Sequence, residues 1–222
     1  MGIGKLLVFG ATSPTGQVIV QRALELGWVV TVYGRRTLPE HAVNANIKTV
    51  EGPLNDEATL RTAIAGQDVI ISVCGPLSPC ASASLDVLVP AYKLILTTMR
   101  SEGVKRIIAL STFSVYDPED KPNLLRWLLV TGLRILAHKV WKTIVDVSRV
   151  FDEEGQDIDW TLFRVGFLMS GPRLRVIDGY VGDGTLGMHV RRADIAEWTL
   201  RQANKLPPEF VHKKPGLSSV NV

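Results

Sequence analysis

The residues best suited to chemistry sit near the start of the chain, in "KLLVFGATSPTGQVIV" (5–20). An apolar run climbs to Gly10, and a second apolar stretch begins at Gly16. Between them lie Ala11, Thr12, Ser13, Pro14 and Thr15. A strand leading through Gly10 into a helix near Gly16 aims backbone N–H groups and a helix N-terminus at an anion, which suits a phosphate. Thr12, Ser13 and Thr15 add hydroxyl donors. Gly10 permits the tight turn and Gly16 permits close packing of the helix. Ser13 stands where the dinucleotide fingerprint carries its middle glycine, so it must avoid glycine-only backbone angles or bear strain.

A second cluster decides which anion. About 20 residues beyond the glycines, a carboxylate would take the ribose 2′-hydroxyl of NAD. The sequence there reads "YGRRTLPE", with Arg35 and Arg36 and no acid beside them. Guanidinium forks match a 2′-phosphate, so the cofactor expected is NADP(H). Further on, Asn55 or Asp56 can reach an adenine amino group, or either can cap the following helix. Cys74 and Gly75 let a ribose or nicotinamide approach the backbone. Ser111, Thr112, Phe113, Ser114 and Tyr116 follow another β-rich run and border the expected nicotinamide position. Arg164, Val165, Gly166 and Phe167 follow the next. Ser111 is the first candidate for a catalytic, substrate-side donor and Tyr116 the second. Tyr116 lacks a lysine four residues on, and Pro118 and Pro122 forbid an ordinary helix there, so a loop role competes with catalysis.

These residues need a scaffold that gathers them. β-rich runs at 6–10, 28–34, 47–52, 68–75, 104–112 and 158–166 alternate with helical patterns at 16–27, 55–66, 82–103, 138–155 and 191–204. The 82–103 helix is expected to kink or break near Pro90, and the last to open at Asp194. Alternation of this kind gives an α/β fold: a Rossmann-type doubly wound parallel sheet with helices on both faces, in one domain over 1–222. Ligands then sit beyond the carboxyl ends of the strands, at the switch in strand order. The substrate pocket is expected from 75–82, 111–142 and 164–190. The segment "LLRWLLVTGLRIL" (124–136) is expected to be buried as a lid or core helix, with a partner or membrane surface as the alternative. The segment 205–222 is expected to lie extended on the surface.

Bulk properties narrow the classes. The 222 residues carry a formal charge of +3 with dispersed Lys and Arg, which gives no nucleic-acid footprint. The apolar run at 6–9 is too short for a signal peptide, and 124–137 is interrupted by Arg126, Gly132 and Arg134, short of the ~18 apolar residues of a membrane span. No membrane partner is expected on that ground. Only two cysteines, Cys74 and Cys80, are present, without zinc spacing, so no metal is expected and a reducing, cytoplasmic setting is the simpler one. Oligomeric state is left open.

With these residues placed, the chain resembles the atypical short-chain dehydrogenases/reductases of the NmrA-like group, and within it the biliverdin-IXβ reductase/flavin reductase branch. The resemblance rests on "VFGATSPTGQ", "GRR", "DVIISVCG", "EGVKRIIALST", "VYDPEDKP", "IDWTLFRVG" and "VRRADIA". It implies that Gly10–Gly16 cradle a pyrophosphate, Arg35 and Arg36 hold the 2′-phosphate, Gly75 and Ser111–Phe113 line the nicotinamide, and Arg164–Phe167 close over it. It departs from the group's dehydrogenases in lacking the Tyr-x-x-x-Lys pair, and from the reductases at Phe167, where they carry a histidine. The resemblance implies an NADP(H)-dependent oxidoreductase acting on a hydrophobic or planar small molecule. A non-catalytic NADP(H)-binding regulator and a biosynthetic isomerase or cyclase are the alternatives.

Overall fold

The computed structural model describes residues 4–36, 38–42, 44–75 and 85–220. In chain order the elements are β1 (Lys5–Phe9), α1 (Pro14–Glu25), β2 (Val29–Gly34), α2 (Pro39–Ala42), β3 (Ile47–Glu51), α3 (Glu57–Ile64), β4 (Val69–Ser72), α4 (Leu85–Ser101), β5 (Arg106–Thr112), α5 (Leu124–Leu136), α6 (His138–Glu154), β6 (Asp159–Val165), β7 (Phe167–Met169), β8 (Arg175–Gly179), β9 (His189–Arg191), α7 (Arg192–Ala203) and β10 (Gly216–Val220). Every expected strand and helix is present, with ends shifted by a few residues.

Eight strands form one sheet in the order β3-β2-β1-β4-β5-β6-β10-β8, parallel except for β10 against β8. The central strands are apolar on both faces because helices cover both, and β1 from Leu6 to Phe9 and all of β4 are buried. One core layer, with Leu7, Phe9, Ile70, Tyr92, Phe151 and Trp160, lies under α3, α4 and α6. The other, with Val8, Ile19, Ile71, Phe163, Ile195 and Trp198, lies under α1 and α7. The strand order reverses at β1, which has β2 on one side and β4 on the other. That reversal opens the crevice where such folds hold ligands.

Four expectations change. The surface tail is not one: β10 runs beside β6 and β8, with Leu217 and Ser218 fully buried. Its "GLSSV" is too short and too polar to announce a buried strand. Helix α4 continues through Pro90 from Leu85 to Ser101 without a break. The first turn of α7 begins at Arg192 rather than Asp194. Asp194 is instead fully buried, accepting from Leu174 N–H at 2.8 Å and from the Ser219 hydroxyl, which ties α7 to β10. Helix α5 is neither core nor lid: it has no buried residue, and Leu124, Trp127 and Ile135 are 72%, 61% and 74% exposed. The expected pocket residues 76–82, with Cys80, lie outside the described residues.

Candidate functional site

The loop between β1 and α1 explains Ser13. Its backbone is extended (φ −75°, ψ 156°), so no glycine-only conformation is demanded of it. Gly10 carries the positive φ, +80°. Ser13 is the N-cap of α1: its Oγ accepts from Gly16 N–H at 3.0 Å and its carbonyl from Gln17 N–H at 2.9 Å. Pro14 follows as the first helical residue, where its missing N–H costs nothing. Among the described residues this leaves the N–H of Thr15 as the first-turn donor open to an anion. The Ser13 hydroxyl hydrogen is also available, because its oxygen is the acceptor in the cap. Gly16 cannot be replaced without damage, since a Cβ there would lie 2.2 Å from the Gly10 carbonyl oxygen.

Two pockets open from this loop and share Cys74 and Leu88. The first, about 230 Å³, lies beyond β2 and β3 and is lined by Gly10, Gly34, Arg35, Gly52, Leu54 and Asn55, among others. The second, about 300 Å³, lies beyond β4, β5 and β6. Ser13, Pro14 and Thr15 form one wall, Gly75, Ser111 and Thr112 the floor, and Val165 and Gly166 the far side. Their arrangement on either side of the β1 switch point matches a two-part ligand joined at a phosphate bridge.

The expected site residues divide accordingly. Gly10, Ser13, Pro14, Thr15, Arg35, Asn55, Cys74, Gly75, Ser111, Thr112, Val165 and Gly166 line the two pockets. Asp56, not Asn55, caps α3, accepting from Thr59 N–H at 3.2 Å, which leaves Asn55 facing the pocket. Arg36 is exposed and not a lining residue. Ala11 is buried in the core behind the loop. Gly16 serves the loop through its close approach, and Thr12 through its carbonyl, which accepts from the Gln17 side chain at 3.1 Å.

Four residues are elsewhere. Phe113 is buried behind the cleft, wedged where Cβ atoms on Gly166 and Gly216 would meet its ring at 3.2 and 2.9 Å. Phe167 is half exposed and stacks near His189, ring centroids 5.5 Å apart. Tyr116 is 60% exposed beneath the Arg126 guanidinium and takes no part in the cleft. Arg164 points away from the pocket, because strand alternation sends its side chain to the opposite face from Val165. It is fully buried, bound to both carboxylate oxygens of Asp120 and to the carbonyls of Val115 (2.9 Å) and Lys214. Burial alone would push the Asp120 carboxyl up. The Arg164 hydrogen bonds and charge, with the N–H groups of Asp117 and Val181, outweigh it and hold the carboxyl below its ordinary value. This pair fastens the loop after β5 to β6 and β10.

Several lining residues escaped the sequence reading. Leu88 and Tyr92 are one turn apart on α4, and Ile144 and Val147 one turn apart on α6, so their apolar spacing was indistinguishable from core packing. Tyr92 is not a free acid: its hydroxyl donates to the Cys74 carbonyl at 3.0 Å and lies 2.8 Å from Ser72 Oγ. Arg192 is the single charged side chain among the described residues lining the second pocket. Its Nη1 reaches Ser170 Oγ at 2.9 Å, while its buried Nε has no partner among the described residues. Ser111 Oγ makes no hydrogen bond among the described residues. A larger open depression, about 700 Å³, lies between α1 and α7. Its charges are matched internally, with Glu197 taking Arg22 and Arg173 at 3.0 and 2.8 Å, and none of its lining residues comes from the carboxyl end of a sheet strand.

A family model described as NAD(P)H-binding matches residues 10–205. The chain belongs to this NAD(P)H-binding family. The match runs from the first glycine of the phosphate loop past the end of α7, so both pockets lie inside the family's domain. Solved structures agree on the fold. A short-chain dehydrogenase/reductase from Veillonella parvula DSM 2008, solved in complex with NADP, is similar at a TM-score of 0.77 with 15% identity, over 97% of this chain and 94% of that one. The anaerobillin reductase ChuY from Escherichia coli O157:H7 is similar at 0.77 with 17% identity, over 98% of both chains. The oxidoreductase ylbE from Lactococcus lactis is similar at 0.71 with 16% identity, over 98% and 92%. The expected NAD(P)H-binding family is thus shown, and the fold is shared with short-chain dehydrogenase/reductase structures.

Proposed function

We propose that this NAD(P)H-binding protein is an NADP(H)-dependent oxidoreductase that moves hydride to or from a hydrophobic or planar small molecule. The observation that carries the reading is the Ser13-capped loop with one pocket on each side, the first with Arg35 on its wall and the second a mainly apolar cleft with Arg192 at its side. The fit of the cofactor rests on the Gly10 turn, on the close approach of Gly16, and on the Thr15 N–H and Ser13 hydroxyl left to meet a pyrophosphate. Arg35 supplies the charge for a 2′-phosphate in the pocket beyond β2, with Asn55 beside it. Absence of a carboxylate at the end of β2 favours NADP(H) over NAD(H).

When bound, NADP(H) supplies the hydride chemistry at its nicotinamide ring. The chain's own residues orient and shield. Leu88, Leu110, Ile144, Val147 and Leu168 make an apolar slot that excludes water and suits a flat ligand. Ser111 and Thr112 place hydroxyls on its floor, Thr112 already accepting from Ser114 N–H at 3.2 Å, and Arg192 is the cation at its side, suited to an anionic substituent. Tyr116 takes no part, so proton transfer falls to Ser111 or to the substrate itself.

The test is NADPH oxidation by purified protein against flavins, quinones and linear tetrapyrroles. Turnover with one class supports the proposal. Tight NADPH binding without turnover across the panel overturns it in favour of a regulator, and conversion without net NADPH loss in favour of an isomerase.

A further inference from the structure

Helix α5 is out of place on an ordinary protein surface. Leu124, Leu125, Trp127, Leu128, Leu129, Ile135 and Leu136 are all exposed, Leu136 by 88%. At about 100° per residue, Leu124, Leu128 and Ile135 form one row and Leu125, Leu129 and Leu136 the next, with Gly132 between them. This is an unbroken apolar stripe facing solvent. The inward side is held by Arg126, whose Nε donates to the Phe113 carbonyl at 2.8 Å and whose Nη2 donates to that of Val115 at 3.2 Å. The helix is therefore anchored in this orientation, and its N-cap is sound, with Asn123 accepting from Arg126 N–H at 2.8 Å.

Charge decides what covers the stripe. From Lys121 to Lys142 the chain carries Lys121, Arg126, Arg134, Lys139 and Lys142 and no acid. Arg134 lies over the Trp141 ring, at the flank of the stripe. Asp86 on α4 offsets Lys139, Asp146 one turn along α6 offsets Lys142, and no carboxylate sits on α5 itself. A second copy docking here through a twofold axis would set Leu against Leu but bring cations against cations. An anionic lipid surface satisfies both features: the Leu and Ile side chains enter the acyl boundary, Trp127 sits at the headgroup level, and Lys121 and Arg134 reach the phosphates.

We infer that α5 docks the protein, lying in plane, on anionic phospholipid membranes. No helix among the described residues is long and apolar enough to cross a membrane, so the contact is with one surface. Charge and span length in the sequence point away from a membrane; the exposure of α5 points toward its interface. The Phe113–Val115 turn that Arg126 grips follows Ser111 and Thr112 directly, and α5 packs on α6, which supplies Ile144 and Val147 to the apolar cleft. The docking helix thus stands at the same end of the sheet as the cleft. The inference does not depend on the reaction proposed.

The test is co-sedimentation of the full chain with vesicles of phosphatidylcholine alone and of phosphatidylcholine with phosphatidylserine. Binding to the anionic vesicles is expected, weakened by salt and by about fivefold for each of Lys121→Gln and Arg134→Gln. Leu128→Glu with Ile135→Glu should abolish it, with circular dichroism and NADPH affinity unchanged. An emission shift on vesicle addition that Trp127→Phe removes gives a readout independent of the charged variants. Wild-type protein that ignores both vesicle types overturns the inference. So does a concentration-dependent dimer that the double variant dissolves in place of vesicle binding, which would assign the stripe to a second copy.

Discussion

Ser13 Oγ lies 3.0 Å from the backbone nitrogen of Gly16 and accepts its hydrogen, so the serine standing at a glycine's place caps the helix it introduces. The same interaction fixes the loop that faces both pockets. Ser13→Ala should lower stability by about 1 kcal/mol and weaken NADPH binding as well, because the hydroxyl is lost from both tasks. Ser13→Gly should cost less stability, since glycine is tolerated at an N-cap. Thermal denaturation with and without NADPH separates the two effects. Equal NADPH affinity in wild type and Ser13→Ala would remove the hydroxyl from the phosphate site.

Arg35 and Arg36 are adjacent in sequence but not equivalent in the fold, since Arg35 alone of the two lines the pocket beyond β2. Arg35→Ala should weaken NADPH by tenfold or more, roughly the loss of one charge-assisted interaction, while leaving NADH nearly unchanged. Arg36→Ala should have the smaller effect. Isothermal titration with both cofactors checks this, and equal losses for NADPH and NADH in Arg35→Ala would contradict the 2′-phosphate assignment.

Ser111 and Tyr116 separate the two candidate donors. Ser111→Ala should reduce kcat by roughly tenfold or more if the hydroxyl serves the reaction, with NADPH affinity preserved. Tyr116→Phe should be kinetically silent, because the phenol is exposed outside the cleft. Steady-state kinetics on whichever substrate class turns over decides it, and a kcat loss confined to Tyr116→Phe would reverse the assignment.

The buried Asp120–Arg164 pair makes a pH prediction. Asp120 is held below the ordinary carboxylate value of about 3.9. Its contribution is therefore complete above that pH and is lost as pH falls through the lower, folded value. Asp120→Ala should destabilise the fold at neutral pH by about 3 kcal/mol, since it strands a buried guanidinium. The gap between wild type and variant should narrow as pH drops below about 4. Urea denaturation across pH measures it, and a gap that is constant down to acid pH would contradict the ionised pair.

Much of this was legible because strands and helices announce themselves by period. Runs such as "DVIISVCG" are apolar on both faces, which a doubly covered sheet requires. The pocket floor was legible too, because Ser111 closes β5 and Gly75 lies just beyond β4 in a fold whose ligands lie at the carboxyl ends of strands. What was hidden depended on side-chain direction and long-range packing. Arg164 sits next to Val165 in sequence and on the opposite side in space. Leu88 and Val147 look like core until a cleft is seen between their helices. Strand β10 is recognisable only from its partners β6 and β8, and α5 looked buried because its composition does not say which surface it meets.

Hydride transfer at the cleft beside Ser111 is followed by isotope transfer. Protein is incubated with NADPH carrying deuterium at the nicotinamide C4, on each face in turn, together with the accepting flavin, quinone or linear tetrapyrrole, and the reduced product is analysed by mass spectrometry under conditions that limit non-enzymatic exchange. Deuterium is expected in the product from one face only, matched by NADP⁺ formed. Tight NADPH binding with no label transferred to any acceptor would contradict it.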